Sequence, residues 1–345
     1  MMRAYRSVDL TEDGPRLVTR TVDAARRLEQ RLVLRPLKVG VCRSDIKEVA
    51  GTRAMRRDFG HEVVAVVDEL SATDVLPPGA IVGFDPHVPI SRTSGFAEYM
   101  IASANRASLQ SAFPILPASM NLDRAVFVEP LACAHHSVER LSDHLRCFGT
   151  EDLSGLPVAI IGAGTAGVLQ ALILKARCAE IKLVNRSEAR LSMLARTSVL
   201  PRHNLMLLQA CRTGMFDAVV ISTSFVFPEI LEQSLRLLRL GGIALIFGGT
   251  NPGQQYLAID LDRLRRTEAL ARVVVAGGTR WLGGTYGATG DDVAAAIGLL
   301  TAGGRSLPVE KLITSRAKLA ELPAQLARLA SETSSYVGKM VVDVA

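Results

Sequence analysis

Three residues in separate stretches of the sequence, Cys42, His61 and Glu129, could together bind a transition metal. A thiolate, an imidazole and a carboxylate are ligand types of catalytic zinc, which takes three protein ligands and keeps one position for water or substrate. Taken singly, each residue has a more ordinary explanation, because buried free cysteines and histidines bonded in a core are common. The residue types therefore suggest a metal site, and the sequence around them must decide between a metal site and an ordinary structural role.

A second group that can do chemistry is the glycine-rich stretch 162–167, Gly-Ala-Gly-Thr-Ala-Gly. It follows an apolar, β-branched run and precedes a stretch, 168–176, with the length and spacing of a buried helix. Gly162 permits a tight turn, Gly164 lets the backbone approach a pyrophosphate, and Gly167 lets the helix pack on the strand. Phosphate oxygens can then bind free amides at the helix N-terminus. This order predicts a dinucleotide-binding unit, and a glycine turn without a nucleotide is the alternative.

The end of the next predicted strand, 181–184, bears on the choice of cofactor. Enzymes that use NAD place Asp or Glu here, because a carboxylate accepts hydrogen bonds from the ribose hydroxyls but repels a 2′-phosphate. This chain has Asn185, followed by Arg186 and Ser187, with Arg190 one helical turn later. A guanidinium and a hydroxyl are available where that phosphate would lie. We predict NADP(H); the alternative is that Asn185 caps a helix and Arg186 points into solvent.

Length and composition define the class of protein. The chain has 345 residues, of which 48% are hydrophobic and 21% charged, so it is long enough for two globular domains. Its net charge of +6 is spread along the sequence and only 5% of residues are aromatic, which argues against nucleic-acid binding. No apolar stretch approaches the ~18 residues of a membrane span.

Five cysteines without close pairing indicate a reducing compartment, so we expect a cytoplasmic protein. The core is expected to contain Cys133, Cys147, Cys178 and Cys211.

The order of predicted elements indicates two kinds of domain. Short β-rich runs with turn residues between them fill 31–116 and predict a compact, barrel-like domain. After the glycine stretch the pattern alternates strand and helix, as in a parallel α/β sheet, and ends with a strand at 282–286. A helix at 291–300 and a strand at 338–342 follow. The nucleotide domain is therefore expected between two pieces of one β-rich domain.

Together these features resemble the zinc alcohol dehydrogenase branch of the medium-chain dehydrogenase/reductase superfamily, within it the polyol, threonine and sugar dehydrogenases. The stretches that carry the resemblance occur in the family's order over nearly the whole chain. They are Cys42-x-Ser44-Asp45, Gly60-His61-Glu62, Gly95-Phe96-Ala97-Glu98-Tyr99, Glu129-Pro130-Leu131-Ala132, the glycine motif and Gly338-Lys339. The resemblance implies an α/β fold, with a GroES-like β-rich catalytic domain (1–150 and 291–345), a Rossmann doubly wound parallel-sheet domain (151–290), and the active site in the cleft between them.

The resemblance also implies roles for single residues. The three metal-binding candidates match the zinc ligands, and Glu62 matches a carboxylate that some members use as a fourth or exchanging ligand. Ser44 matches a hydroxyl that passes the alcohol proton towards solvent, and Asp45 matches an acid that orients the metal site. Without the resemblance, a turn or a helix cap would explain Ser44 and Asp45. The expected cofactor-binding residues are Gly162, Gly164, Thr165, Ala166, Gly167, Asn185, Arg186, Ser187, Arg190 and Lys339.

Two departures from the family pattern affect these expectations. The lobe that holds a structural zinc with four cysteines would lie between Pro89 and Gly95, where only a short stretch remains, so we expect one zinc per chain. The short loop before the Gly-His-Glu stretch carries Arg53, Arg56 and Arg57. These arginines could recognise an anionic substrate group or lie in solvent.

Three further histidines could be mistaken for ligands or bases. His135 and His136 follow Glu129 on the same predicted helix, and we favour structural roles for both. His87 lies at the edge of the missing lobe, where it could be exposed. The motifs alone leave open whether Glu62 or Glu129 completes the zinc shell.

The expected reaction is reversible hydride transfer between NADP(H) and a secondary alcohol or ketone. Zinc would lower the pKa of the alcohol while the cofactor does the redox chemistry. The substrate is expected to be a polyol, cyclitol, sugar or amino alcohol, polyhydroxylated or anionic, and no nucleic acid or membrane partner is expected. Two alternatives are a zinc-free quinone or enoyl reductase of the same superfamily and a non-catalytic nucleotide-binding regulatory protein. By resemblance we expect a homodimer or homotetramer, in which the strand 282–286 pairs across a two-fold axis.

Overall fold

The computed structural model describes residues 2–23, 30–53, 59–71, 75–275, 277–303, 307–332 and 338–344. The chain forms two compact units, the β-rich unit (Met1–Glu129 with Val293–Ala345) and the nucleotide unit (Pro130–Asp292). The sequence predicted boundaries after 150 and 290 instead. The first boundary differs because the helix Val128–Arg146, which ends before residue 150, belongs almost entirely to the nucleotide unit.

The strands, in chain order, are β1 (Met2–Thr11), β2 (Gly14–Asp23), β3 (Arg31–Val41), β4 (Glu62–Val67), β5 (Ile81–Val82), β6 (Ser91–Arg92), β7 (Met100–Ser103), β8 (Pro157–Ile161), β9 (Glu180–Asn185), β10 (Leu205–Leu207), β11 (Phe216–Ile221), β12 (Leu238–Ile246), β13 (Gln255–Tyr256), β14 (Ile259–Asp260), β15 (Leu270–Val275), β16 (Gly278–Gly284), β17 (Ile313–Lys318) and β18 (Lys339–Asp343). The α-helices are α1 (Arg43–Val49), α2 (Arg106–Ala112), α3 (Leu122–Ala125), α4 (Val128–Arg146), α5 (Thr165–Ala176), α6 (Glu188–Thr197), α7 (Pro228–Leu237), α8 (Leu261–Arg266), α9 (Gly290–Thr301) and α10 (Leu322–Ser331).

The nucleotide unit is built on a seven-stranded sheet with the order β10-β9-β8-β11-β12-β16-β15. Neighbouring strands are parallel except β15 and β16. Four of the five residues of β8 are buried, as expected for a central strand that helices cover on both faces. The order is that of a doubly wound dinucleotide-binding sheet with one antiparallel strand added at its edge. The predicted Rossmann architecture is therefore confirmed.

The strand predicted at 282–286 corresponds largely to β16, which is not an edge strand. It pairs with β12 on one side and with β15 on the other, so the same chain occupies both of its edges. The prediction that this strand pairs across a two-fold axis is therefore wrong. The sequence showed only a short strand-like run at 273–275, whereas β15 is long enough to fold back along most of β16.

The helical pattern of apolar residues in the sequence continues over 230–240, but the helix α7 ends earlier, at Leu237. Leu238 already has extended backbone angles and pairs with Phe216 at the start of β12. Leu238 is fully buried whereas Leu240 is 66% exposed. Strand pairing with β11 therefore overrides the helical pattern of leucines, which cannot by itself separate the end of a helix from the start of a strand.

The β-rich unit contains a sheet with the order β17-β18-β3-β4-β5, and β7 pairs with β3 and with β6. The C-terminal strand β18 lies antiparallel to β3, with Met340 opposite Val41. The returning segment therefore completes the sheet that leads into Cys42. The hairpin of β1 and β2 was not predicted, because few of its residues are buried and it lacks a strong hydrophobic pattern.

The cysteines other than Cys42 are less buried than predicted. Cys147 and Cys178 are exposed, and Cys133 and Cys211 are partly buried, so the prediction that all four lie in the core is wrong. Residue type alone does not predict whether a cysteine is buried, because its small side chain also fits in surface turns. Cys178 lies in such a turn, with a φ of 61°.

Among the residues described, none of the helices combines the length and the apolar character needed to cross a membrane.

Candidate metal and cofactor sites

Cys42, His61 and Glu62 lie together in the β-rich unit, with one ligand atom of each within 4.8 Å of the others. Cys42 directly follows β3, and His61 directly precedes β4. Because β3 and β4 pair antiparallel, the two segments meet at the same end of the sheet. A thiol, an imidazole and a carboxylate at this separation fit the donor set of zinc. We call these three residues the Cys42 cluster.

Asp45 holds the Cys42 cluster in place through three contacts. Its carboxylate accepts hydrogen bonds from the backbone N of Cys42 (2.9 Å) and of Gly60 (3.3 Å), and Oδ1 lies 3.6 Å from Nδ1 of His61. A carboxylate beside Nδ1 fixes the orientation of the ring and leaves Nε2 for a metal. Burial raises the pKa of Asp45, but His61 and the two amides lower it by more, so this 1% exposed carboxyl stays ionised.

Two glycines make room for the cluster. Gly60 has a φ of 75°, and a Cβ there would lie 2.7 Å from the ring of Phe96. At Gly40 on β3, a Cβ would lie 2.0 Å from Oε2 of Glu62. The backbone before His61 and the space taken by the Glu62 side chain therefore both depend on the absence of a side chain.

The electrostatics of the cluster favour a positive charge. Burial lowers the pKa of His61, but Cys42 and Asp45 raise it by more, and the result lies well above its ordinary value. A divalent cation could supply the same positive charge. Ser44 Oγ lies 3.5 Å from Nε2 of His61, so the hydroxyl predicted to relay a proton is beside a predicted ligand.

Glu62 is also half of a buried ion pair with Lys339. Nζ of Lys339 lies 2.5 Å from each carboxylate oxygen, and the side chains of Lys339 and Glu62 are 4% and 1% exposed. Burial raises the pKa of Glu62, Lys339 lowers it, Glu129 raises it, and the net shift is upward. Lys339 was predicted to bind the cofactor. The structure shows its contact with Glu62, and a cofactor contact stays a prediction.

Glu129 is not part of the Cys42 cluster but lies beside His87. A ring nitrogen of His87 is within 4.8 Å of a carboxylate oxygen of Glu129. Burial lowers the pKa of His87, but Asp85 and Glu129 raise it by more. The sequence motifs assigned His87 no role in the site. The signal that could have found it was Asp85, an acid two residues earlier, which the structure places against the imidazole.

Other candidates from the sequence have contacts of their own. His135 and His136 each place Nδ1 2.8 Å from a different oxygen of Asp292, within the nucleotide unit. This network is consistent with the structural roles expected for both histidines. Arg53 lies 3.6 Å from Glu48, whereas Arg56 and Arg57 fall outside the described residues.

The glycine motif forms the turn between β8 and α5 that the sequence predicted. Gly162 has a φ of 118°, and a Cβ on it would lie 2.7 Å from the backbone O of Ser222. A Cβ on Gly167 would lie 2.0 Å from the backbone O of Gly162. Gly164 directly precedes the helix, which begins with Thr165 and Ala166, and a Cβ on Gly164 would have no atom within 4 Å. Two glycines thus close the turn, and the third leaves space open at the helix N-terminus.

We predict that Gly164→Ala folds normally but binds the dinucleotide at least about tenfold more weakly, a cost of about 1.4 kcal/mol. The backbone of Gly164 is extended (φ −86°, ψ 178°), so alanine fits and should stabilise the fold by about 0.4 to 1 kcal/mol. Its methyl group would occupy the space needed by a pyrophosphate. Thermal unfolding and cofactor titration measure the two effects. Gly167→Ala should instead destabilise the fold, and normal cofactor affinity in Gly164→Ala would contradict the assignment.

Asn185 and Arg186 line a cavity of about 170 Å³ in the nucleotide unit. The cavity lies beside Gly162, at the end of β8, where the nucleotide of such folds binds. Ser187 caps α6, because its Oγ accepts a hydrogen bond from the backbone N of Arg190 (3.3 Å). Asn185 donates from Nδ2 to the backbone O of Ser187 (3.3 Å). Ser187, rather than Asn185, is therefore the helix cap.

Comparison with known proteins identifies the fold. No protein-family model matches the sequence, and no curated protein matches it. Among solved structures, a protein from Sinorhizobium meliloti 1021 described as a zinc-binding dehydrogenase bound to NADP has a TM-score of 0.73 and 21% identity, covering 99% of this chain and 100% of that one. L-Idonate 5-dehydrogenase from Escherichia coli has a TM-score of 0.70 and 17% identity, covering 100% and 99%. Galactitol-1-phosphate dehydrogenase from Escherichia coli has a TM-score of 0.67 and 18% identity, covering 98% and 100%. The chain therefore shares its fold with these dehydrogenases, and this is the fold that the sequence motifs predicted.

Proposed function

We propose that this protein is a zinc-dependent oxidoreductase that transfers a hydride between NADP(H) and a secondary alcohol or ketone. The observation that carries the proposal is the Cys42 cluster, in which a thiol, an imidazole and a carboxylate lie within 4.8 Å of one another. A glycine turn at the N-terminus of α5 supports dinucleotide binding. The fold shared with dehydrogenases of known structure supports the reaction class.

The donor set fits a divalent zinc ion. Cys42 and His61 would hold the metal, and either Glu62 or Glu129 would be the third ligand. When bound, zinc would act as a Lewis acid on the substrate oxygen and favour loss of the alcohol proton. Ser44 would accept that proton at Oγ and pass it on. Asp45 would keep the His61 ring oriented with Nε2 free for the metal.

The substrate class is narrower than alcohols in general. The solved structures that share the fold include enzymes named for a sugar acid, a sugar-alcohol phosphate and a butanediol. We therefore propose a polyol, cyclitol, sugar or amino alcohol as the substrate. The test is an assay of the protein with a panel of such alcohols and ketones. The oxidation or reduction of the nicotinamide cofactor, NADP(H) or NAD(H), is followed by absorbance. The metal content of the same sample is also measured. Turnover of enones or quinones by metal-free protein would favour a zinc-free reductase, and cofactor binding without any turnover would favour a regulatory protein.

The proposed preference for NADP(H) depends on Arg186. We predict that Arg186→Ala raises the KM for NADPH by about ten- to a hundredfold, because a charge-assisted hydrogen bond to phosphate contributes about 1.5 to 3 kcal/mol. The KM for NADH, which has no 2′-phosphate, should hardly change. Arg202→Ala, at another exposed arginine of the same unit, is the control. Equal use of NADH and NADPH by the parent, or an unchanged preference in Arg186→Ala, would contradict this assignment.

A further inference from the structure

A buried glutamine is the polar exception on the apolar helix α5. Gln170 is 0% exposed and lies within the run 168–174, whose other members are apolar and buried. Burial of an amide is unfavourable unless the amide is hydrogen-bonded. Here Nε2 donates to Oγ of Ser137 on α4 (2.8 Å), and Oε1 accepts from Oγ of Ser222, all within the nucleotide unit. A buried network with every member bonded holds those members in one arrangement.

The direction of each hydrogen bond in this chain is fixed from one end. Ser137 Oγ donates to the backbone O of Ala134 (2.7 Å), because a carbonyl oxygen can only accept. Ser137 has then used its proton, so the atom of Gln170 that faces it must be the amide nitrogen. The amide oxygen therefore faces Ser222 and has no proton to give. The hydroxyl of Ser222 must donate to this oxygen, and Ser222 can only accept from any further partner.

Ser222 lies next to the glycine turn that is proposed to bind the pyrophosphate. It directly follows β11, and its backbone N donates to the backbone O of Ile161 at the end of β8 (2.8 Å). A Cβ on Gly162 would lie 2.7 Å from the backbone O of Ser222. Ser222 is partly exposed, whereas Gln170 and Ser137 are buried. The chain of hydrogen bonds therefore runs from the interior to the carboxyl edge of the sheet.

The strand order places Ser222 on the nicotinamide side of the glycine turn. β8 lies between β9 and β11, and the three strands are parallel, so their carboxyl ends share one edge of the sheet. Asn185 ends β9, where the adenosine ribose is proposed to bind. A dinucleotide crosses this edge with its pyrophosphate at the N-terminus of the helix that follows the central strand. Its second ribose then lies beyond the turn, at the end of β11.

We propose that Ser222 accepts a hydrogen bond from a hydroxyl of the nicotinamide ribose, and that Gln170 is the residue that positions Ser222. The inference rests on the proposed function, because it requires a bound dinucleotide. A ribose hydroxyl can donate a hydrogen bond, and a donor is the kind of partner that the chain leaves for Ser222. An unprotonated phosphate oxygen could not take this place, because it can only accept.

The test measures equilibrium binding to the full chain by calorimetry with three probes, NADP⁺, 2′-phospho-ADP-ribose and 2′,5′-ADP. The first two contain the second ribose, whereas 2′,5′-ADP ends before it. Ser222→Ala should weaken binding of the first two by about 3- to 10-fold, as expected for loss of one hydrogen bond, and leave 2′,5′-ADP unchanged. If the parent prefers NAD⁺, the same series without the 2′-phosphate is used.

The matched control is Ser142→Ala. Ser142 is another buried serine of the nucleotide unit, and its Oγ donates to the backbone O of Val138 within α4 (3.0 Å). Its substitution removes a hydroxyl of the same kind away from the carboxyl edge of β11. All three affinities should therefore stay at the parental values.

Variants of Gln170 separate a positioning role from a merely structural one. Gln170→Leu removes the acceptor that directs the Ser222 hydroxyl, so it should weaken NADP⁺ binding as much as Ser222→Ala does. The double variant should bind no more weakly than either single variant, because both changes disrupt the same arrangement. Gln170→Glu keeps an acceptor oxygen for Ser222 and should retain most of the parental affinity. Thermal unfolding verifies that each variant is folded.

The outcomes distinguish the inference from the proposed function. Parental NADP⁺ affinity in Ser222→Ala, or an equal loss for 2′,5′-ADP, overturns the contact with the nicotinamide ribose and leaves the proposed function standing. A loss for NADP⁺ without a loss for 2′-phospho-ADP-ribose means that Ser222 contacts the nicotinamide itself, which also overturns the inference. Additive losses in the double variant overturn the positioning role of Gln170. A parent that binds neither NADP⁺ nor NAD⁺ overturns the proposed function and the inference with it.

Discussion

Cys42→Ala should lose its metal on dialysis and, with it, the turnover of alcohols. The parent should hold about one zinc per chain, because zinc at a catalytic site uses one set of three protein ligands. Removal of the thiolate leaves His61 with carboxylates only, one of which is shared with Lys339. Loss of an outer partner of a metal ligand already costs about 10- to 100-fold in affinity, so loss of the ligand itself should cost more. Elemental analysis after dialysis and the rate of alcohol oxidation measure the two effects.

The matched control for this experiment is Cys147→Ala. Cys147 is exposed, and its Sγ donates to the backbone O of Asp143, one turn earlier in the chain. Its substitution should change neither metal content nor rate. Parental turnover in Cys42→Ala would contradict the zinc mechanism. A second tightly bound zinc in the parent would contradict the expectation of one zinc, which rests on the missing cysteine lobe.

The elements that local sequence determines were the ones that could be predicted. The glycine turn follows from steric conflicts between residues close in sequence, such as Gly162 with Gly167. The buried strand β8 and the helix after it follow from hydrophobic pattern and length. Because consecutive α/β elements build the same sheet in sequence order, the Rossmann architecture followed from them.

The choice of carboxylate in the metal site could not be predicted from the sequence. Glu129 was expected beside Cys42 and His61, but the structure places Glu62 there. The position of Glu62 depends on space above Gly40 and on Lys339, which lies near the far end of the chain. Contacts between residues this distant in sequence leave no local pattern. Which carboxylate binds the metal in the working enzyme stays a proposal, and Glu62→Gln and Glu129→Gln would separate them by metal content.

His87 and the sheet edge were missed for related reasons. A histidine in a turn has no periodic pattern, and its position beside Asp85 and Glu129 becomes visible only in the folded chain. The role of β16 depends on β15 folding back beside it, a pairing that hydrophobicity alone does not specify. In both cases the missing information was a tertiary contact.

Lys339→Met should destabilise the β-rich unit by about 3 to 5 kcal/mol at pH 8, because it leaves the Glu62 carboxylate buried without its cation. The double variant Glu62→Gln with Lys339→Met should recover most of this loss, since both charges are then removed. Lys175→Met, on the exposed surface of α5, is the control and should have little effect. Urea unfolding followed by far-UV circular dichroism measures the change. The single tryptophan, Trp281, lies in the nucleotide unit, so its fluorescence shows whether that unit unfolds separately.

The loss in Lys339→Met should depend on pH with a definite sign. Burial and the charge of Glu129 already raise the pKa of Glu62 when Lys339 is present, and without the lysine the pKa should rise further. Below the pKa of an unfolded glutamate, about 4.5, the carboxyl is protonated in both states and the charge penalty disappears. As pH rises from there through the raised folded pKa, the unfolded state releases its proton first, and the folded state becomes progressively less stable than the parent. Thermal unfolding of both proteins at pH 5 and pH 8, with and without added zinc, should show the larger deficit at pH 8 in the metal-free sample. An equal deficit at both pH values would mean that Lys339 stabilises the unit by packing rather than by charge.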